Sequence, residues 1–218
     1  MFEIDEMSVS DIALREGVLY DLVGRSSAED IRGVTVAAML RKWSLDSNHG
    51  NKVRDTAVTL YSQIAGAWDI QDDLFEKMLG WSALLHEVGL SVSHDGYHKH
   101  GAYLIGNADM AGFARRDQIL LAALIGGHRR KFPLSEFENL PSTLVTPAKR
   151  VAVILRLAAL LHRGRGSELT STIKAKARGQ QLDIEFESDW LSKNPLTEAD
   201  LKQEHSWLKT IGITLNFT

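Results

Sequence analysis

The sequence has 218 residues, 44% of them hydrophobic and 24% charged, and a formal net charge of −3 at pH 7. Such a composition is typical of a soluble globular protein, and with an acidic start and no apolar run near ~18 residues it predicts neither a membrane span nor a secretory signal. There are no cysteines, which excludes disulfides and thiolate metal sites and favours a cytoplasmic location.

The first predicted elements are a weakly alternating strand in MFEIDEMSVS and a helix in SDIALREGVLYDLVGR, capped by Ser10 or Asp11. Apolar residues recur every fourth position from Leu14 to Leu22 on one face of this helix. No partner strand follows nearby. Residues 1–27 are therefore interpreted as the end of another, preceding domain.

Residues 28–166 show helical periodicity almost throughout, which predicts an all-helical bundle with short loops. One helix lies in QDDLFEKMLGWSALLHEVG, and Gly89 at its end is predicted to adopt the left-handed conformation of a helix cap. The last helix of the bundle, in TPAKRVAVILRLAALLHRG, contains Arg156 between Leu155 and Leu157. A cation in so apolar a run is predicted to pair with an acidic side chain rather than with a ligand.

After Gly166 the pattern changes from helical periodicity to alternation. ELTSTIKAKARG and QQLDIEFES alternate around an RGQQ turn, which predicts a β-hairpin. A helix in LTEADLKQEHSWLKTIG and a final strand in ITLNFT follow. Residues 167–218 are therefore predicted to form a small ββαβ subdomain. The predicted fold class is mainly α, a helical bundle with a small α+β C-terminal subdomain.

Histidines and one acid offer a candidate metal site within the bundle. His49 lies in the second bundle helix, and His86 is followed directly by Glu87 at the end of the third. Imidazole nitrogens and carboxylate oxygens both coordinate borderline divalent ions, which activate water and polarise phosphoryl oxygens. The alternative is that these histidines are partly buried and that each bonds to a backbone carbonyl.

The order of His49 and His86-Glu87 resembles the HD superfamily of phosphohydrolases, whose ligands are a His, a His-Asp pair and a late Asp. Here Glu87 replaces the Asp of the pair, and Ala159 stands in LRLAALLHR where more complete relatives read LRLADALDR. His162 stands at the second aspartate of that pattern. Because alanine has no ligand atom, the resemblance implies an HD-like fold with a degenerate site, retained for its shape and charge, in which no catalytic metal is expected.

A wider resemblance covers essentially the whole chain. ALREGVLYDLVGR, LLHEVGLSVSHDGYHKHGAYLIGNADMAGF and GGHRRKF are similar to the C-terminal half of exopolyphosphatases and of the related guanosine pentaphosphate phosphohydrolases. The resemblance implies that residues 1–27 are a remnant of an actin-like catalytic domain and that residues 28–166 are an HD-like domain. It also implies that the catalytic residues and Mg²⁺ belong to N-terminal domains outside this chain, so no catalytic residue is assigned here.

The resemblance further implies that the full-length enzyme hydrolyses terminal phosphoanhydride bonds of inorganic polyphosphate. This fragment would bind and steer the polyanion and form a homodimer, and alone it is expected to be inactive and to hold no cofactor. Arginine forks phosphate oxygens and lysine offers a mobile charge, although cations at a helix end also meet the helix dipole favourably. The candidate polyphosphate contacts, in GYHKHG and GGHRRKF, are Lys99, His100, His128, Arg129, Arg130 and Lys131.

Two other functions stay open. The first is an active, metal-dependent nucleotide phosphohydrolase of the HD type that uses His49, His86 and Glu87. The second is a nucleic-acid-binding module that uses the basic zone at residues 145–181, where the one acid is Glu168. Few aromatic residues interleave with this zone, so base stacking is not supported and a nucleic acid partner is not expected.

Overall fold

The structure is a computed structural model that describes residues 30–165 and 172–218. The described residues form a helical bundle followed by a small sheet with its own helices, which confirms the predicted fold class. The predicted strand and helix of residues 1–27, and the predicted boundary between residues 166 and 167, lie outside the described residues.

The bundle is built from helices of very unequal length. A short 3₁₀ helix, Val88–Ser91, lies between the third and the fourth of them. The bundle helices are α1 (Ile31–Lys42), α2 (Ser47–Ile64), α3 (Asp73–Leu85), α4 (Tyr97–Asn107), α5 (Arg115–Gly127), α6 (Leu134–Glu138) and α7 (Ser142–Leu161).

Aspartate side chains fix where the first helices begin. Asp30, Asp46 and Asp72 each accept a hydrogen bond from a backbone N–H in the first turn of α1, α2 and α3, respectively. Such caps satisfy donors that an isolated helix start leaves unpaired. The cap on α2 is made to the N–H of His49 at 3.0 Å. The same bond that starts α2 therefore holds His49 in its first turn.

The C-terminal subdomain has the predicted ββαβ order. β1 (Lys174–Arg178) pairs antiparallel with β2 (Gln181–Glu185), and β2 pairs parallel with β3 (Thr214–Phe217). The short helix α8 (Trp190–Lys193) and the longer α9 (Pro195–Leu208) form the crossover, followed by a 3₁₀ turn, Lys209–Ile211. Alternate residues of each strand face the apolar interior, as the period of two in the sequence predicts.

The hairpin docks on the C-terminal half of α2 through side-chain bonds to its backbone. The Gln63 amide donates to Ile173 O at 3.1 Å and accepts from Ala175 N–H at 2.6 Å. The buried Trp68 indole donates to Gly179 O at 3.0 Å. These bonds occupy backbone groups at the edge of the sheet. The buried apolar residues of the bundle and of the sheet form one continuous core.

The prediction that Gly89 adopts the left-handed conformation of a helix cap is wrong. Gly89 is not among the described glycines with positive φ, which are Gly96, Gly112, Gly179 and Gly212. It lies in the 3₁₀ helix under the first turn of α4, and a Cβ built on it would be 1.9 Å from Tyr97 O and 2.5 Å from Gly101 N. Glycine is required there because two backbones touch, not because of a left-handed turn.

Candidate functional site

A pocket of about 380 Å³ opens where the ends of α3, α5 and α7 meet the start of α4, with α9 on one side. Histidines, arginines and aromatic rings form most of its wall. The lining residues are His49, His86, Glu87, Leu90, His94, Tyr97, His128, Arg129, Arg156, Ala159, Leu160, Arg163, Arg165, Glu204 and Trp207.

His49, His86 and Glu87 meet at the floor of this pocket. Their potential ligand atoms all lie within 4.8 Å of one another. His49 Nε2 is 3.8 Å from Glu87 Oε1, and the two imidazole rings are 5.5 Å apart. The three residues therefore converge as predicted. His49 comes from the first turn of α2, and His86 and Glu87 follow the end of α3.

His86 and His128 have the same local arrangement at the C-terminal ends of α3 and α5. In each, Nδ1–H donates to the carbonyl three residues earlier, Ala83 O at 2.7 Å and Ile125 O at 2.6 Å. A carbonyl can only accept, so these bonds fix the tautomer and leave Nε2 with its lone pair. The two rings pack edge-on at 5.3 Å. The bond to a backbone carbonyl that the alternative interpretation predicted is present in both.

Burial keeps these imidazoles neutral. It lowers the pKa of His86 to about 4 and the pKa of His128 well below its ordinary value. A neutral His128 offers no positive charge to phosphate at neutral pH. Its Nε2 instead lies 3.4 Å from the Tyr97 hydroxyl, at the pocket wall.

The residues present do not fit a divalent metal. Arg165 Nη2 donates to both oxygens of Glu87, at 2.6 and 2.7 Å, and Arg165 Nη1 donates to Asp46 at 3.2 Å. The negative charge of the Glu87 carboxylate is thus already balanced by the Arg165 guanidinium. Ala159 presents a methyl group to the pocket. His162 does not replace the missing ligand, because its Nε2 is bonded to Thr56 Oγ1 at 2.7 Å.

The predicted phosphate contacts lie where α4 begins and α5 ends. Arg129 lines the pocket and packs on the Tyr97 ring at 4.5 Å, whereas Lys99, Arg130 and Lys131 are exposed outside the pocket wall. His100 is half-buried on α4. Within residues 30–165 and 172–218, no carboxylate lies within ion-pair distance of any of these four cations, Lys99, Arg129, Arg130 and Lys131.

Buried His98 belongs to the first turn of α4, and its ring lies 6.3 Å from that of His128 at the end of α5. Its pKa is lowered to about 4, first by burial and then by the positive charges of Arg129, Lys99, Arg130 and Arg156. Its Nδ1 is buried and has no hydrogen-bond partner among the described residues. The positive charges of Lys99 on α4 and of Arg129 and Arg130 after α5 therefore help to keep this imidazole neutral.

Acidification is expected to destabilise the chain through His98. The pKa of His98 is about 4 when folded and near 6.5 when unfolded, so the unfolded chain binds more protons between these values. Stability should be fully present above about pH 6.5 and should fall by about 1 kcal/mol or more towards pH 4. The measurement is the urea midpoint against pH.

His98→Gln, which cannot titrate, is the control for this pH dependence. Its stability curve should be flatter than that of the original chain between pH 6.5 and 4, with the remaining slope due to other buried histidines. Parallel curves for the two proteins would show that His98 is not the responsible group.

Sequence reasoning missed several pocket residues that arrive from distant parts of the chain. Arg165 reaches Glu87 across 78 positions, and Glu204 and Trp207 come from α9 in the C-terminal subdomain. The prediction for Arg156 is confirmed, because its guanidinium pairs with Glu204. The sequence offered the apolar setting of Arg156 as a signal, but nothing that identified its partner.

The basic zone of the hairpin is balanced by acids on the neighbouring strand. Lys174 and Lys176 stand opposite Glu185 and Asp183 in the β1–β2 register. The charges of Arg178 and Lys176 contribute, after hydrogen bonds from Asn216 and Gln181, to the lowered pKa of Asp183. This exposed face is mixed in charge rather than a continuous basic surface. That arrangement gives the nucleic-acid alternative no support.

The fold and pocket define a mainly α-helical domain with a histidine- and arginine-lined pocket, a basic helix end beside it and a small α+β subdomain. Residues 31–205 match the family described as "Ppx/GppA phosphatase, domain III". The chain belongs to this phosphatase family. The resemblance to exopolyphosphatases and guanosine pentaphosphate phosphohydrolases is confirmed at this level.

Similar proteins carry the name guanosine-5'-triphosphate,3'-diphosphate pyrophosphatase. The protein of that name from Aeromonas hydrophila is 33% identical over 201 residues, which are 92% of this chain and 40% of the relative. Those from Vibrio parahaemolyticus and Pseudoalteromonas translucida are 33% and 30% identical and match 100% and 96% of this chain. The chain spans less than half of the length of these relatives. No described helix is both long and apolar enough to cross a membrane.

Proposed function

We propose that this chain is the polyanion-binding C-terminal part of a cytoplasmic exopolyphosphatase-type enzyme. The full-length protein would hydrolyse terminal phosphoanhydride bonds of inorganic polyphosphate and release orthophosphate, with Mg²⁺ in domains outside this chain. This part would steer the phosphate chain and dimerise, and alone it would release no phosphate. The observation that carries the proposal is a set of four cations that have no carboxylate within ion-pair distance among the described residues, namely Lys99, Arg129, Arg130 and Lys131.

The arrangement of these cations supports phosphate binding in two ways. They come from two helix ends that meet beside the pocket, so an extended polyanion can contact both segments. The Arg129 guanidinium carbon also lies 4.5 Å from the centre of the Tyr97 ring, and this contact limits the rotamers of Arg129 before a ligand arrives. A cation that is already oriented loses less entropy when it binds phosphate.

Replacing both Arg129 and Arg130 by glutamine is expected to weaken binding of linear polyphosphate to the chain by about 10- to 100-fold. Each guanidinium supplies charge-assisted bonds to phosphate oxygens, and each bond contributes about 1.5 kcal/mol or more. The dependence of affinity on salt should also become shallower, because fewer counterions are released. Fluorescence anisotropy with labelled polyphosphate at several salt concentrations measures both effects.

The matched control removes two arginines elsewhere on the bundle. Arg116 is exposed and Arg54 is partly exposed, and each pairs with the aspartate that follows it, so Arg54→Gln/Arg116→Gln has the same net charge as the test variant. Its affinity should change less than about threefold. If both double variants lost the same affinity, net charge alone would explain the effect, and the proposed contact site would be overturned.

The names of the relatives favour a second candidate, in which the phosphates belong to a guanosine nucleotide. Competition separates the two substrates. Guanosine pentaphosphate that displaces labelled polyphosphate at a lower concentration than unlabelled polyphosphate, with the same loss in Arg129→Gln/Arg130→Gln, would favour the nucleotide. Displacement only by polyphosphate would favour the first proposal.

A further inference from the structure

Arg165 occupies a position that is unusual for a surface arginine. It follows the C-terminal end of α7, in a backbone conformation with φ of 42°, and its side chain is about half-exposed. Its guanidinium nevertheless crosses the pocket mouth to Glu87 at the end of α3 and to Asp46, the cap of α2. One side chain thus joins three helix ends, and two of them supply the candidate metal ligands.

Arg165 binds the one carboxylate that a cation at the His49–His86–Glu87 site would also need. Both Glu87 oxygens accept from Nη2 at 2.6 and 2.7 Å, the short distances of charge-assisted bonds. Glu87 Oε1 also lies 3.8 Å from His49 Nε2. A divalent ion ligated by these atoms would therefore compete with the guanidinium for the same carboxylate.

We propose that Arg165 is a built-in cation that takes the place of a metal ion at the His49–His86–Glu87 site. The inference is independent of the proposed polyphosphate function. A guanidinium neutralises Glu87 and ties the helix ends together, as an ion would. It cannot activate a bound water as a nucleophile, which is what a hydrolytic metal supplies. The site then retains the charge balance of a metal centre without its chemistry.

The length of Glu87 agrees with this assignment. Compared with aspartate, its additional methylene carries the carboxylate further from the end of α3, where both oxygens accept from Arg165 Nη2. Ala159 lines the same pocket, where its methyl group supplies no competing ligand. The two substitutions that separate this sequence from a complete HD motif therefore both suit an arginine at the site.

Removing the guanidinium should expose a usable metal site. Arg165→Ala is expected to bind one Ni²⁺ or Zn²⁺ about 100-fold more tightly than the original chain, because the competing positive charge beside Glu87 is gone. Isothermal titration calorimetry of the whole chain with each ion measures the change. Arg165→Met, which keeps the apolar stem, repeats the test should the alanine variant melt early.

Two further variants make the result specific. Arg163→Ala removes a neighbouring cation of the pocket wall that pairs with Asp200, and it should bind metal no better than the original chain. Arg165→Ala/His86→Ala should lose the acquired binding. Tight stoichiometric binding by the original chain, or no increase in either Arg165 variant, would overturn the proposal.

Discussion

Arg156→Ala is expected to destabilise the chain by about 3–5 kcal/mol, which lowers the melting temperature by about 6–20 °C. The Arg156 side chain is completely buried and the Glu204 side chain is nearly so. The guanidinium donates to both oxygens of Glu204, to Gly127 O at 2.5 Å and to Arg130 O at 2.6 Å. Truncation would leave a buried carboxylate and two carbonyls without these donors, which is the costly way to break a buried pair.

The expected loss of stability in Arg156→Ala comes from the burial of the Arg156–Glu204 pair, and the exposed Arg163–Asp200 pair provides a comparison. Arg163, two residues beyond the end of α7, bonds to Asp200 of α9 at 2.6 Å, but both side chains are substantially exposed. Arg163→Ala should therefore cost less than about 1 kcal/mol. Thermal unfolding followed by circular dichroism compares the two variants directly. Similar losses would mean that the Arg156 bonds are as hydrated as those of Arg163.

The Arg156 network also connects stability to the phosphate contacts. Its bonds to Gly127 O and Arg130 O hold the residues after α5, where Arg130 has a positive φ of 64°. Glu204 belongs to α9, so the C-terminal subdomain orients the basic end of a bundle helix. This gives the small subdomain a physical role beyond covering the bundle: it supports the loop that carries Arg129 and Arg130.

The elements were predictable because their signals are local. The alternation KAKAR and QLDIE around a turn specifies a hairpin, and four-residue spacing of apolar side chains specifies the bundle helices. The apolar flanks of Arg156 were enough to predict an acidic partner. They could not identify Glu204, because a pairing across 48 positions depends on how α9 packs, not on any local pattern.

The site was predictable only where it resembles a known ligand order. His49, His86 and Glu87 follow that order, and they do meet at one pocket. Arg165 lies between glycines in a polar stretch, with no periodicity that marks it as a site residue. Its role is visible only when three helix ends are in place. The same holds for His98, whose neutral state depends on burial and on cations from another helix.

Gly89→Ala is expected to destabilise the chain by about 3 kcal/mol, the upper part of the usual range for overpacking, because the added methyl group has no space. Its Cβ would lie 1.9 Å from Tyr97 O and 2.5 Å from Gly101 N, and both neighbours are backbone atoms that no rotamer change can move. The 3₁₀ helix and the first turn of α4 would have to separate, and overpacking of this kind carries a cost even where side chains can adjust. Chemical denaturation gives the loss in unfolding free energy.

Separation of the 3₁₀ helix from α4 should also affect the pocket, because Glu87 directly precedes the 3₁₀ helix and Tyr97 is part of its contact with Gly89. A shift of α4 away from the turn would move Tyr97, and with it Arg129, relative to His86 and Glu87. Phosphate affinity should therefore fall in Gly89→Ala even at temperatures where the variant remains folded. Gly33→Ala is the matched control, since a Cβ there meets nothing within 4 Å and alanine favours the α1 helix by up to about 1 kcal/mol. An unchanged midpoint in Gly89→Ala would mean that the two backbones are not pressed together, and the need for glycine would then have to lie elsewhere.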